Sequence, residues 1–595
     1  MELRHKWFAH VCTRLLANRS RRSRHGWSFG VFVCALGWLM LFDPWAPFSR
    51  EVGICEVGAV RDVLAGNFIL PSYDRRADSR PDYQPGMPER EWGPGGMIQT
   101  PPLYWWLSAL AVRLLGWNEF AVRLPSILAA AGVCALLYGW TSVVFDRRIA
   151  IWAAALVLLC KYFVENALSP RMDMLFVLFV AGASLCLERA SAKKGRERFK
   201  MLAGAAACIA LATMSKGPAG ALLPGLALGG FLVLRGRSRE LVAPGLLITF
   251  ATGLSAWLIW SIAAYRIGGT DFFQYQVVKG LALRFLPNAL GGDSNCRYEP
   301  YIYAKVIFAQ FLPWSLFLPA LIALLLSRRA SIPEPLLFAA CWFVSVITFF
   351  TLSSGRCIVY ILPCVPPMAL MLAYLFVQFD RKADVNSNSI SVLLFRAGSL
   401  LVTLGTLALL TLVLLVLSSD MPEGVFRQLH ATDRGLLTML RDLRPNLYLW
   451  MVLSAIGAVI VIGGALRSPP SRSARGLMII SMAGTFLWFH SIVPALAQRR
   501  SFKRFAVVID SMVPSGAVIE YLGADTPCDL RFYLVHQLSR GSLASSSSFF
   551  MVIGETDYRR LNPSQRATLQ LLTNSASASP NSSRLMLVRA RAPSR

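Results

Sequence analysis

The residues best suited to chemistry are carboxylates and cations at the ends of apolar runs. Glu51 and Glu56 follow the first run, in SREVGICEVGAVRDVL. A carboxylate so placed can take a proton from a hydroxyl. Their spacing sets them about 140° apart on a helix, so they need not share a face, and a solvated amphipathic helix is the competing reading. Asp173 opens another run in SPRMDMLFVLF, two residues after Arg171. An acid there either caps the helix or serves a site, and the two roles can coexist. Lys216 (MSKGPAG), Arg284 (LALRFLP) and Arg356 (LSSGRCIVYILP) are cations at span ends. Phosphate is their natural partner, and snorkelling to headgroups is the alternative. Tyr360 is a candidate pocket residue or a belt residue. Tyr104 and Trp105, in PPLYWWLSALAVRLLGW, are candidates to line the pocket, and the Trp105–Trp106 pair either stacks on substrate or anchors its helix.

The elements that must carry these residues are membrane spans. Of 595 residues, 55% are hydrophobic and 16% charged, against about 25% charged in soluble chains. This excludes a water-soluble enzyme and general disorder. The net charge of +27 is broken into short blocks between apolar runs. That is the positive-inside pattern, with no basic groove for nucleic acid. The expected spans are 27–43, 120–143, 149–168, 172–188, 200–215, 217–234, 241–265, 301–326, 333–352, 357–378, 393–418, 447–466 and 475–495.

Sidedness settles the segment 101–117. If it spanned, the basic blocks at 147–148, 189–200, 235–239, 328–329, 381–382 and 467–475 would all face outward. It therefore reads as a helix lying in the outer interface. The basic N-terminus (residues 1–26) is then cytoplasmic, 27–498 is the membrane domain with large outer loops at 44–119 and 266–300, and 499–595 is an outer domain. Strand-like runs at Ala517–Leu522 and Phe549–Ile553 make that domain a small α/β unit, and its Ser-rich stretches read as loop. No internal repeat is visible, which weighs against inverted-repeat transporters.

Most cysteines sit inside apolar runs, and a bridge among Cys55, Cys296, Cys357 and Cys528 stays open. There is no GxxxxGK[ST] or HExxH motif, and the six histidines do not cluster. No cofactor is required on this reading, and a divalent metal would lack a clear ligand set. The energy for a reaction outside must arrive on a lipid carrier.

These motifs, in this order, resemble the polytopic lipid-linked glycosyltransferases of the GT-C type, nearest the aminoarabinose (lipid A) transferase and protein O-mannosyltransferase group. AVRDVLAGNFILP, PPLYWWLSALAVRLLGWNEFAVRLPS, RMDMLFVLF, SKGPAGALLP, FLPWSLFLP and LSSGRCIVYILP carry the resemblance, and the tail from VPALAQRRSFKRF resembles the family's outer domain. The resemblance implies about thirteen transmembrane helices, juxtamembrane helices in the first outer loop and a C-terminal α/β domain. It implies a polyprenyl (undecaprenyl) phosphate sugar donor and a lipid, glycan or protein acceptor at the periplasmic face of a bacterial inner membrane.

Departures matter. Arg50-Glu51 stands where the family usually has Asp-Glu, so Glu51 is the candidate base, with Glu56 as the shifted alternative. Gln99-Thr100 stands where Glu-Lys is frequent, and residues 266–300 hold no histidine. The aminoarabinose and lipid A substrates are therefore not carried over. The implied mechanism is inverting displacement. Glu51 acts as base, Asp173 as partner or orienter, and Lys216 and Arg356, helped by Arg284, hold the phosphate. A lipid-linked sugar transporter or flippase and a catalytically inactive assembly subunit are the alternatives.

Overall fold

The computed structural model describes residues 26–48, 57–72, 100–274, 276–278, 299, 301–328, 331–353, 355–380, 389–418, 439, 442–465, 473–522, 528–536, 538–540, 550–575 and 585–590. Glu51, Glu56, Arg284, Cys55, Cys296 and the Ser545–Ser548 run lie outside these residues.

Among the described residues, nine helices are long and apolar enough to cross a membrane, and two bent pairs raise that to eleven. The shorter apolar helices α1 (Gly26–Met40) and α9 (Ala219–Leu234) coincide with the other two expected spans. The chain is an integral membrane protein. The 13 residues of α3 (Leu103–Leu115) rise about 20 Å, short of a hydrocarbon core about 30 Å thick. That length suits the interface helix the charge pattern required. Ahead of it, α2 (Gly58–Leu64) is the other described helix of the first loop.

Two expected spans turn out to be bent. The run 149–168 is α5 (Arg147–Leu158) and α6 (Lys161–Ala167), meeting at 66°, and the run 301–326 bends by 105° between the helix Ile302–Gln310 and Trp314–Ser327. A break inside lipid must satisfy the carbonyls it frees. At the first break the Trp38 indole donates to Leu158 O and the Trp314 indole to Leu159 O, each at 3.3 Å.

Four helices place the site. Between α4 (Glu119–Val144) and α9, α7 (Asp173–Ser191) and α8 (Gly195–Lys216) run antiparallel, joined by the turn at 192–194. The start of α7 therefore lies beside the end of α8. The turn from α8 into α9 depends on two glycines. Gly217 caps α8 at φ 75 and donates its N–H to Thr213 O. A Cβ on Gly220 would sit 2.5 Å from the Ala212 carbonyl carbon.

The last span runs from Ser473 through a π turn at Leu487–Ile492 to Arg500. After Ser501, the helix Lys503–Met512 joins a five-stranded sheet: β1 (Ile519–Leu522), β2 (Leu538–Arg540), β3 (Phe550–Gly554), β4 (Leu569–Asn574) and β5 (Leu585–Ala590), in the order β2-β1-β3-β5-β4. Strand β1 is parallel to β2 and β3, with Ile519 opposite Leu538 and Phe550, while β5 is antiparallel to β3 and β4. Phe502, Phe505 and Ile509 pack on Ile519, Val552 and Leu587. This is the small α/β unit the tail suggested. Strands β2, β4 and β5 went unread, because β2 is three residues long and the others alternate weakly.

Candidate functional site

Asp173 is the first residue of α7, and its carboxylate makes no cap bond with the helix. It is 2% exposed; one oxygen accepts from Lys216 Nζ and the other faces Arg171 Nε at 3.0 Å. The carboxylate at this helix start is ion-paired on both oxygens. The placement suits both partners, since an acid is favoured at a helix start and a lysine at a helix end. The antiparallel pairing of α7 and α8 brings those two ends together.

A second segment completes the cluster. Lys216 Nζ lies 4.6 Å from the Tyr360 ring centroid and 5.7 Å from that of Phe176. Tyr360 packs on Phe350. Four residues earlier, Arg356 donates through Nε and Nη2 to Thr351 O at 3.2 and 3.1 Å. Two tyrosine hydroxyls hold the backbone between them: Tyr303 donates to Cys357 O at 3.3 Å and Tyr162 to Ile358 O at 2.5 Å. Neither tyrosine stood out in the sequence, where each is one aromatic in an apolar run.

Tyr104 and Trp105 sit deeper than a substrate-lining role would ask. Both are enclosed, at 1% and 0% exposure, and pack edge to face. The Tyr104 hydroxyl donates to Val122 O at 2.7 Å and lies 3.3 Å from Ser126 Oγ, whose hydrogen goes to Arg171 O at 2.8 Å. Tyr104 thus supports the backbone that carries Arg171. Trp106, beside them, anchors through its indole to Phe68 O at 2.8 Å.

Two cations, Arg171 and Lys216, meet one carboxylate, and Arg356 lies four residues before the Tyr360 ring that covers Lys216. Such a cluster is suited to an anion with several oxygens. With both oxygens of Asp173 committed to cations, that residue can orient them more readily than it can accept a proton. Among the described residues no group of three or more His, Cys, Asp or Glu side chains is placed to hold a metal.

The chain is similar in sequence and in fold to known proteins. Residues 99–261 match the family model described as dolichyl-phosphate-mannose-protein mannosyltransferase. The undecaprenyl phosphate-alpha-4-amino-4-deoxy-L-arabinose arabinosyl transferase of Photorhabdus laumondii is 26% identical over 53% of this chain and 55% of its own length. A Proteus mirabilis protein of the same name is 22% identical over 73% of this chain and 74% of its own. The chain spans about half the length of several such relatives. The crystal structure of ArnT from Cupriavidus metallidurans bound to undecaprenyl phosphate superposes with a TM-score of 0.69 at 15% identity, covering 95% of this chain and 98% of that one. The fold is the GT-C fold, and the likeness is to GT-C lipid-linked glycosyltransferases.

Proposed function

We propose that this protein moves a sugar from a polyprenyl phosphate carrier, undecaprenyl phosphate in a bacterial inner membrane, to an acceptor at the periplasmic face. The observation that carries the reading is the Arg171–Asp173–Lys216 cluster, with Tyr360 over Lys216, at one end of the helical bundle. The names of the relatives support the donor class, and their arabinosyl transfer favours a pentose.

The first-loop carboxylate, Glu51 with Glu56 as the alternative, takes the acceptor hydroxyl proton. The acceptor oxygen then attacks the anomeric carbon with inversion as the bond to the phosphate oxygen breaks. Lys216 and Arg356, with Arg284 as a further candidate, stabilise the charge on the departing lipid phosphate. Asp173 keeps Lys216 and Arg171 in position. The N-terminus is cytoplasmic and the 499–595 domain lies outside.

The test is release of undecaprenyl phosphate from a panel of undecaprenyl phosphate sugars by purified protein. We expect turnover in wild type, loss in Glu51→Gln or Glu56→Gln, and weakened donor binding in Lys216→Ala. Intact binding and turnover in folded Lys216→Ala would remove the phosphate assignment.

The bent spans keep transport of a lipid-linked sugar as a second reading. Against it, the Leu158 and Leu159 carbonyls at the first break are taken by indoles and are not directed at ionisable groups. Binding of donors without turnover would favour transport or an inactive assembly subunit.

A further inference from the structure

A single turn of the C-terminal domain grips the first loop from both sides. The helix Cys528–Tyr533 ends in Phe532 and Tyr533, both packed against the loop. The Phe48 N–H donates to the Tyr533 hydroxyl at 2.7 Å. Arg61, on α2, donates through Nη2 to Phe532 O at 3.2 Å and Leu534 O at 3.4 Å. The Trp117 indole, just past α3, donates to Phe532 O at 3.1 Å. The rings interlock as well: Phe532 stacks on Trp117 and meets Phe48 edge-on, while Arg61 lies over Trp117.

The grip is built from groups that cost free energy to bury. Arg123, 3% exposed, donates to Pro44 O and Ala46 O at 2.9 and 2.6 Å and lies over the Phe48 ring. Glu119, 5% exposed, pairs with Lys503 at 2.6 Å. Unpaired, either charge would be strongly destabilising there. Burial, then the Glu119 carboxylate, pushes the Tyr533 phenol up, so the hydroxyl stays neutral.

We infer that the Phe532–Leu534 turn is a positioning element: by fastening Phe48 and Arg61, which flank residues 49–60 of the first loop, the docked C-terminal domain holds that loop in register for transfer. The inference rests on the reading that this loop supplies the base. Asp173 and Lys216 pair with each other, with Arg171 and with the Tyr360 ring, away from the turn, so it acts on turnover rather than on carrier phosphate affinity.

Tyr533→Phe in the full-length protein removes the hydroxyl and keeps the ring. Three quantities are read: hydrogen exchange of the peptide holding Phe48 and α2, affinity for undecaprenyl phosphate, and turnover of undecaprenyl phosphate sugars. Expected are faster exchange at Phe48, kcat lowered about three- to tenfold, the range one hydrogen bond commands, and undecaprenyl phosphate affinity unchanged. The double variant Tyr533→Phe/Arg61→Met should lose more turnover while still binding the carrier. Unchanged exchange overturns the grip. Faster exchange with unchanged kcat, or with parallel loss of carrier affinity, overturns the positioning role. If wild type turns over no donor, the transferase reading fails and the positioning role with it, and the exchange result then decides only whether the turn holds the loop.

Discussion

Asp173 and Lys216 invite a contrast at the scale of single residues. Asp173 competes with any bound phosphate for Lys216, so the two substitutions should diverge. Lys216→Ala should weaken undecaprenyl phosphate binding about ten- to a hundredfold, the usual worth of a charged hydrogen bond. Asp173→Asn should leave that binding intact or tighter, while stability falls by about 3–5 kcal/mol because two cations lose a buried partner. Equilibrium binding and thermal unfolding of both variants check this, and equal loss of binding in the two would refute the competition for Lys216. The types and edge positions of Asp173, Lys216 and Arg356 were legible in the sequence. Their pairing was not, because Lys216 and Asp173 are 43 positions apart and meet only through helix packing. Tyr162 and Tyr303 were illegible, since a hydroxyl's partner is set by the tertiary fold.

At the scale of elements, the α8–α9 hairpin delivers Lys216. A methyl at Gly220 would collide with the backbone of Ala212 and Thr213. Gly220→Ala should therefore splay the hairpin, costing about 1–3 kcal/mol as overpacking does, and lower donor turnover alongside. Unfolding midpoints and turnover measured on one preparation test it; a silent substitution would mean the hairpin yields freely. The SKGPAG motif pointed to this turn from sequence. The bends in the 149–168 and 301–326 runs were hidden because hydropathy is blind to direction: a bent and a straight apolar helix read alike. The indoles of Trp38 and Trp314 explain why the first bend is tolerated.

At the scale of the whole molecule, the turn that grips the first loop is itself pinned to its domain. Asp510 accepts from Val535 N–H and from His536 Nδ1, and His536 Nε2 faces Pro514 O at 2.9 Å. Both ring nitrogens face acceptors, so the doubly protonated imidazole fits best. Burial alone would lower the His536 pKa, but the Asp510 and Pro514 contacts outweigh it and raise it above 6.5. A raised folded value means its stabilisation is fully present below about pH 6.5 and is lost as pH rises through the folded value. Unfolding of the full-length protein should show this alkaline loss, and His536→Gln should flatten it. Orientation is also testable. Val535 is 86% exposed, and Val535→Cys should react with an impermeant maleimide from outside intact cells; reaction only after lysis would place the domain inside.

The sequence by itself determined the membrane class, the number of apolar runs, the non-spanning 101–117 helix and the chemical types at the site, because lipid solvation acts on composition and charge segment by segment. Tertiary structure alone decided that Asp173 meets Lys216, that two spans bend, and that Tyr533 and Arg61 tie the tail to the first loop. Those contacts join residues up to 485 positions apart, and their strength depends on distance and desolvation, quantities that exist only once the helices are packed.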